Sequence, residues 1–255
     1  MRIGILGYRG EYGCERLLKA SKKFGEPVHI FPESLRFDSS KGLEIPDVNL
    51  LIIRDLGGET LEERAFRMDM LFLLSEDIPL FNPPEAINAA GNKFLTYFRF
   101  LREGIPFPRT VLGREILLNF DAVRKPIFGY QGIGAEIRRK GEVLKDFGMV
   151  QEFIRGEEYR VFVIGDEIFG AVRKIPKEGE WRANVSLGAR TESTELEEEI
   201  LRLSLRASRS VGCVFSAVDL IMAQKPYFLE VNATPNFRSF PGAENRIVEK
   251  CIELI

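Results

Sequence analysis

Asp219 and the triplet Glu230-Val231-Asn232 supply oxygen ligands of the kind a hard divalent cation prefers. They lie in FSAVDLIMAQKPYFLEVNA, Phe215–Ala233, where two apolar runs are separated by Gln224-Lys225 with a proline just after. That is a hairpin pattern, although the turn pair is not among the favoured ones. With a two-residue turn, Ala223 faces Pro226 and Asp219 falls directly opposite Glu230. Period-two alternation then puts Asn232 on the face of Glu230. Carboxylates opposed in this way lie about 5 Å apart at Cβ and repel; a cation turns that repulsion into binding. The same residues also read as a solvated acidic pair on the polar face of an edge hairpin.

A second group is KPIFGYQGIG, in which Lys125 precedes Gly129, Gly132 and Gly134. Glycines let backbone N–H groups converge on an anion, and a lysine adds a point charge. The order does not fit Gly-x-x-x-x-Gly-Lys-Ser/Thr, because the lysine comes first and no helix follows. A glycine-rich hairpin that binds nothing is the alternative. Gln151-Glu152-Phe153-Ile154 reads as a short strand offering backbone groups to a base edge and an apolar wall, or as an ordinary core strand. Trp181-Arg182-Ala183-Asn184 carries a guanidinium and an amide suited to phosphate or carboxylate. Glu158-Tyr159-Arg160 and Arg173-Lys174 flank a hairpin expected to turn at Gly165-Asp166, and each reads singly as surface charge.

The elements that must position these groups follow from periodicity. Short apolar runs at Arg2–Leu6, Val28–Phe31, Val48–Ile53 and Pro79–Phe81 alternate with helical patterns at Glu15–Phe24 and Leu61–Leu74, which implies a small open parallel α/β domain. Its Gly7, Gly10 and Gly13 do not have dinucleotide-fold spacing. Asn82-Pro83-Pro84 is the clearest punctuation and marks a domain boundary. Helices are expected at Glu85–Ala90 and Lys93–Glu103, a strand-rich stretch at Val111–Ile154, a charged helix at Glu195–Val211, and a final helix after Pro241.

Composition narrows the function. A chain of 255 residues with 45% hydrophobic and 29% charged residues is an ordinary globular protein. A net charge of −2 argues against nucleic acid as partner. The absence of a membrane-length apolar run and a strand-like start lead us to expect a cytoplasmic protein without membrane association. Three scattered cysteines do not form a disulfide framework, and His29 as the single histidine excludes His-based triads.

In this order KPIFGYQGIG, QEFI, YRVFVIGDEIFGA, WRANVSLGA and VDLIMAQKPYFLEVNATP resemble the ATP-grasp superfamily, specifically its RimK-like amino-acid ligases. The resemblance covers essentially the whole chain. IIRDLGGETLEERAFRMDMLFLL is similar to the branch of tetrahydromethanopterin:glutamate ligases. It implies an α/β architecture: an ATP-grasp fold preceded by a small open parallel domain. The divisions expected are 1–83 for the preceding domain, 84–150 for a shortened central lid subdomain, and 151–255 for the C-terminal part with the metal site.

The same resemblance implies roles. Lys93 and Lys125 contact ATP phosphates, with Gly129, Tyr130, Gln131, Gly132 and Gly134 closing over them. Glu152 and Phe153 line the adenine pocket, Glu158 holds the ribose, and Arg182 and Asn184 face phosphates, Arg182 and Lys125 acting in catalysis. Asp219, Glu230 and Asn232 hold one or two Mg²⁺ (or Mn²⁺) ions. Arg54, Arg173 and Arg238 are candidates for gripping substrate. The chain departs from the family in having Glu158 where Asp is usual, Asn236 where Gly is usual, and a short Val111–Met149 stretch without the usual helices.

The expected activity is an ATP- and magnesium-dependent carboxylate–amine ligase working through an acylphosphate. Its substrates are expected to be L-glutamate and a small-molecule carboxylate such as a tetrahydromethanopterin-like coenzyme. A small-molecule kinase, or a ligase using another amino acid or a protein C-terminus, are the alternatives. Homo-oligomerisation is left open.

Overall fold

A computed structural model describes residues 1–129, 134–184 and 187–255. Its N-terminal sheet is parallel, with spatial order Glu26–Ile30, Arg2–Leu6, Leu50–Ile53, Leu80–Phe81. Leu50–Ile53 is buried at all four positions, which explains its unbroken apolar run: helices cover both faces of a parallel sheet. Helix Leu61–Leu74 begins at a capping box in which Thr60 and Glu63 each satisfy the other's backbone N–H. Helix Tyr12–Ser21 starts three residues earlier than its apolar periodicity predicts. Glu11 caps it by accepting from the N–H groups of Gly13 and Cys14. Gly13 is needed there because a Cβ would lie 2.6 Å from the Arg54 guanidinium.

Asn82 joins this sheet to the rest of the protein. Its amide is fully buried. Nδ2 donates to the carbonyls of Phe215 and Ala233, and Oδ1 accepts from the N–H groups of Val214 and Phe215. Unpaired, these backbone groups, buried at Phe215 and Ala233 and half-buried at Val214, would lose a partner in the interior. Asn82→Ala is therefore expected to cost about 3 kcal/mol or more of folding free energy. Urea denaturation measures it; a loss below about 1 kcal/mol would show that water or a shifted backbone replaces the amide.

Helices Pro84–Gly91 and Lys93–Arg102 follow. A four-stranded antiparallel sheet comes next, ordered Glu136–Arg138, Ala122–Lys125, Gly148–Glu152, Thr110–Gly113. Among the described residues no helix lies between Arg102 and Glu152, so this sheet carries only the small core of Leu118, Ala122, Leu144 and Val150.

The third sheet has five antiparallel strands, ordered Arg190–Ser193, Glu167–Ile175, Glu157–Ile164, Phe215–Met222, Pro226–Asn232. The turn at Gly165-Asp166 is present, with Gly165 at φ +60°. Alternation gives this sheet two different faces. Val161, Val163, Ala171, Val218, Leu220 and Phe228 pack with the helices Pro84–Gly91, Lys93–Arg102 and Glu198–Val211. Phe162, Ile164, Val172, Phe215 and Ala217 pack with the N-terminal sheet, helix Tyr12–Ser21 and the final helix Ala243–Glu253. Further along that second face the apolar residues give way to Glu158, Arg160, Lys174 and Asp219, beyond the reach of the N-terminal sheet. No helix among the described residues is long and apolar enough to cross a membrane.

Candidate active site

The charged end of the five-stranded sheet and the four-stranded sheet enclose a cleft of about 830 Å³, part of it open to solvent. Lys93, Lys125, Glu158, Lys174, Asp219 and Glu230 are among its lining residues.

Two lysines face it from the side of the four-stranded sheet. Lys93 is the first residue of helix Lys93–Arg102, and its backbone N–H donates to Ile127 O at 3.1 Å. Its Nζ donates to Gly129 O at 2.6 Å. Lys125, at the end of strand Ala122–Lys125, donates from Nζ to Gln151 Oε1 at 2.7 Å. Both partners are neutral, and among the described residues neither ammonium has a carboxylate within 4.0 Å. Burial pulls both lysines down, with Glu230 partly offsetting it; Lys125 falls to about 8. Two adjacent, partly desolvated cations without a paired carboxylate are suited to an anion.

The opposite wall carries the carboxylates. Asp219 is paired with Glu230, and Ala217 with Asn232. The route to that register differs from the two-residue turn expected. Met222 pairs with Pro226, so three residues, Ala223, Gln224 and Lys225, form the loop. A bulge at Leu229 then restores the offset, because Asp219 pairs with Glu230 while Leu220 pairs with Phe228. Bulges place one extra residue on one strand and re-aim its neighbours. The Tyr97 hydroxyl donates to Leu229 O at 2.8 Å and holds the bulged backbone.

Arg160 also belongs to this wall, although alone in sequence it reads as surface charge. It pairs directly across the sheet with Asp219, donating from Nε to Oδ1 at 2.6 Å and from Nη2 to Oδ2 at 2.8 Å. Lys174 Nζ adds bonds of 3.1 Å to Asp219 Oδ2 and 3.1 Å to Glu158 Oε2. Burial would raise the Asp219 carboxyl, but Arg160 and Lys174 outweigh it and hold it well below the usual range. The signal in the sequence was the alternation of Glu158 and Arg160 on one strand, which puts both on the cleft face.

These residues fit a divalent cation. Glu230 makes no side-chain hydrogen bond or ion pair among the described residues, so its carboxylate is unpartnered toward the cleft. Asp219 accepts three hydrogen bonds and keeps one Oδ1 lone pair. Asn232, on the same face, accepts the Thr234 N–H at 3.0 Å, which orients its amide oxygen. Two carboxylates and an amide form an all-oxygen donor set suited to magnesium or manganese.

The other expected residues do not all lie in one place. Gly129, Glu152, Arg182 and Asn184 line the cleft, as do Trp181 and Gln151. Arg182 forks onto the Glu180 carboxylate at 3.0 and 2.8 Å, and these bonds draw Glu180 down to about 2. Phe153 stands edge-on to Trp181 at 5.7 Å and is not itself among the residues lining the cleft. Gly134 lines a second groove with Arg124, Phe128 and Phe147. Tyr130, Gln131 and Gly132 lie outside the described residues.

The three arginines expected to grip substrate do not line the cleft. Arg54 is buried, donating to Pro235 O at 2.8 Å and pairing with Glu11 at 3.3 Å. Arg173, adjacent to Lys174, points to the other face of its strand and pairs with Glu157 at 2.5 Å. Arg238 is exposed and stacks over the Tyr12 ring at 4.6 Å.

Residues 91–255 match the family described as the RimK-like ATP-grasp domain. The tetrahydromethanopterin:alpha-L-glutamate ligase of Methanocaldococcus jannaschii is 34% identical over 290 residues, covering 100% of this chain and 98% of the relative. A probable alpha-L-glutamate ligase of Xanthomonas euvesicatoria pv. vesicatoria is 30% identical, covering 95% of this chain and 92% of the relative. Among solved structures, the ATP-grasp ligase PsnB complexed with a phosphomimetic variant of minimal precursor, Mg and ADP aligns with a TM-score of 0.73. That alignment covers 98% of this chain and 97% of the other. At 18% identity it is a likeness of fold.

Proposed function

We propose, for a chain that belongs to the RimK-like ATP-grasp family, that it is an ATP-dependent carboxylate–amine ligase joining L-glutamate to a small-molecule carboxylate. The observation that carries this reading is the cleft's division of charge: two lysines without carboxylate partners face an unpartnered Glu230 and its cross-strand neighbour Asp219. That arrangement suits a polyphosphate on one wall and a cation on the other.

In this reading Lys93 and Lys125 hold the phosphates, and Arg182 turns from Glu180 toward them. Glu152, Ile154, Ile221 and Leu229 enclose the base, and Glu158 takes the ribose. Asp219, Glu230 and Asn232 would hold magnesium, which would supply positive charge against the negative charge that develops on phosphoryl transfer. The acceptor carboxylate attacks the γ-phosphate and releases ADP. The glutamate amine then attacks the acylphosphate carbonyl, losing a proton and expelling phosphate as the amide forms. The chain contributes positioning and charge compensation, and no enzymic nucleophile is needed. Arg238 has the accessible guanidinium for an acidic substrate. Residues 1–83 serve as the preceding domain, 84–150 as the lid-bearing part and 151–255 as the metal-bearing part.

The names of the relatives motivate glutamate and a pterin acceptor. The test is a screen with purified protein, ATP and magnesium, each amino acid in turn, and candidate acceptors including tetrahydromethanopterin-like pterins. ADP release that requires glutamate plus an acceptor, with a product heavier by one glutamyl residue, is the expected result. Dependence on another amino acid would discard glutamate and keep the chemistry. A phosphorylated product accumulating without any amine would replace the ligase with a kinase.

A further inference from the structure

Gln151 is 1% exposed and is the one buried polar side chain among the described strand residues of the four-stranded sheet. It sits between Thr110 on one neighbouring strand and Val123 on the other. Val123 and Lys125 share a face of their strand, so the carboxamide lies diagonally beside the Lys125 ammonium.

The hydrogen bonds around it have a single consistent direction. Thr110 Oγ1 donates to Pro108 O at 2.9 Å, which spends its only proton. It must then accept from Gln151, whose Nε2 lies at 3.0 Å. That leaves Oε1 to accept from Lys125 Nζ at 2.7 Å. The orientation of the amide is therefore fixed by a threonine that does not line the cleft, with the Tyr97 hydroxyl, whose proton goes to Leu229 O, also within reach of it.

We propose that Gln151 is a positioning residue for Lys125: its carboxamide oxygen, locked in place through Thr110, holds the ammonium toward the nucleotide phosphates without neutralising it. A carboxylate there would hold the lysine equally well but would cancel the charge the phosphates need. A hydrocarbon would leave a long, flexible side chain free to wander. The neutral acceptor resolves both. The charged groups acting on Lys125 from the surrounding elements are Glu230, Lys93, Glu158 and Lys174. None of them pairs with it within 4.0 Å, so Gln151 is the contact that sets its position.

The assignment rests on the nucleotide reading of the cleft, and calorimetric titration with MgATP between pH 7 and 10 tests both. Lys125 loses its proton at about 8, so parent affinity is expected to hold below that pH and fall above it. Gln151→Glu is expected to weaken binding at least tenfold at pH 7.5 and to move the alkaline fall to higher pH, because an anion at the same place stabilises the ammonium. Gln151→Met should also lose about tenfold, and Thr110→Val, which loosens the amide but leaves Tyr97 beside it, about threefold. In a Lys125→Met background, Gln151→Met should change affinity by less than about twofold, since its effect passes through the lysine.

An unmoved alkaline fall in Gln151→Glu would overturn the assignment. So would a full tenfold loss from Gln151→Met in the Lys125→Met background, because a structural defect would add independently. A parent protein that takes up no MgATP overturns the nucleotide reading and this role with it. Thermal midpoints taken alongside identify a variant that loses binding through unfolding, and Thr110→Val then decides, being outside the cleft.

Discussion

Glu230→Gln is expected to lower ADP release by about 10³-fold while leaving the fold intact. The size follows from what mutation of a single electrostatic group in a preorganised site removes, about 10² to 10³ in rate, with loss of a cation ligand at the upper end. Stability should hold for a separate reason. Glu230 makes no hydrogen bond or ion pair among the described residues, so the isosteric amide breaks no native contact, and the repulsion from Asp219 that it relieves offsets the attraction to Lys93, Lys125, Arg160 and Lys174 that it removes. Steady-state ADP formation at saturating ATP and magnesium, with thermal unfolding in parallel, reads both quantities. Turnover within tenfold of the parent would remove Glu230 from the metal set and leave the acidic pair as a solvated feature of the hairpin.

Lys125→Met should weaken ATP binding about a hundredfold, the scale of a charge-assisted phosphate contact in a partly desolvated site. Methionine keeps most of the stem and removes the charge. The parent also carries a signature in its stability. Burial depresses Lys125 from 10.5 to about 8, so between those values the unfolded chain binds more protons than the folded one. Parent stability therefore gains as pH rises through that window and loses that gain as pH falls back through about 8. The methionine variant lacks the effect, and the difference between the two proteins' pH–stability curves isolates it. Parallel curves for parent and variant, together with unchanged ATP affinity, would remove Lys125 from the phosphate site.

The N-terminal sheet was legible because its signals are local. Leu50–Ile53 is apolar at every position, as a strand covered on both faces must be, and Thr60 and Glu63 announce their helix through cap chemistry alone. The Gly165-Asp166 turn was legible for the same reason. The Asp219–Glu230 pairing was reached from the sequence by counting from a two-residue turn, and the structure reaches it by a three-residue loop and a compensating bulge at Leu229. The backbone at that bulge accepts a hydrogen bond from Tyr97, over a hundred residues away, and no pattern within the hairpin encodes that contact.

By itself the sequence determined which side chains share a strand face, because alternation depends only on parity along the chain. It thereby put Glu230 and Asn232 on one face of their strand, whereas Asp219 joins them through the register of the hairpin. What only the tertiary structure decided is which charges remain available. Arg54 is spent on Pro235 O and Glu11, and Arg160 is committed to Asp219. Lys93 and Lys125 keep their charge because Gly129 and Gln151 hold them with neutral oxygens. Whether a charge is cancelled depends on what lies within a few ångströms of it, and in this fold those neighbours come from other strands and helices, at distances along the chain that periodicity cannot bridge.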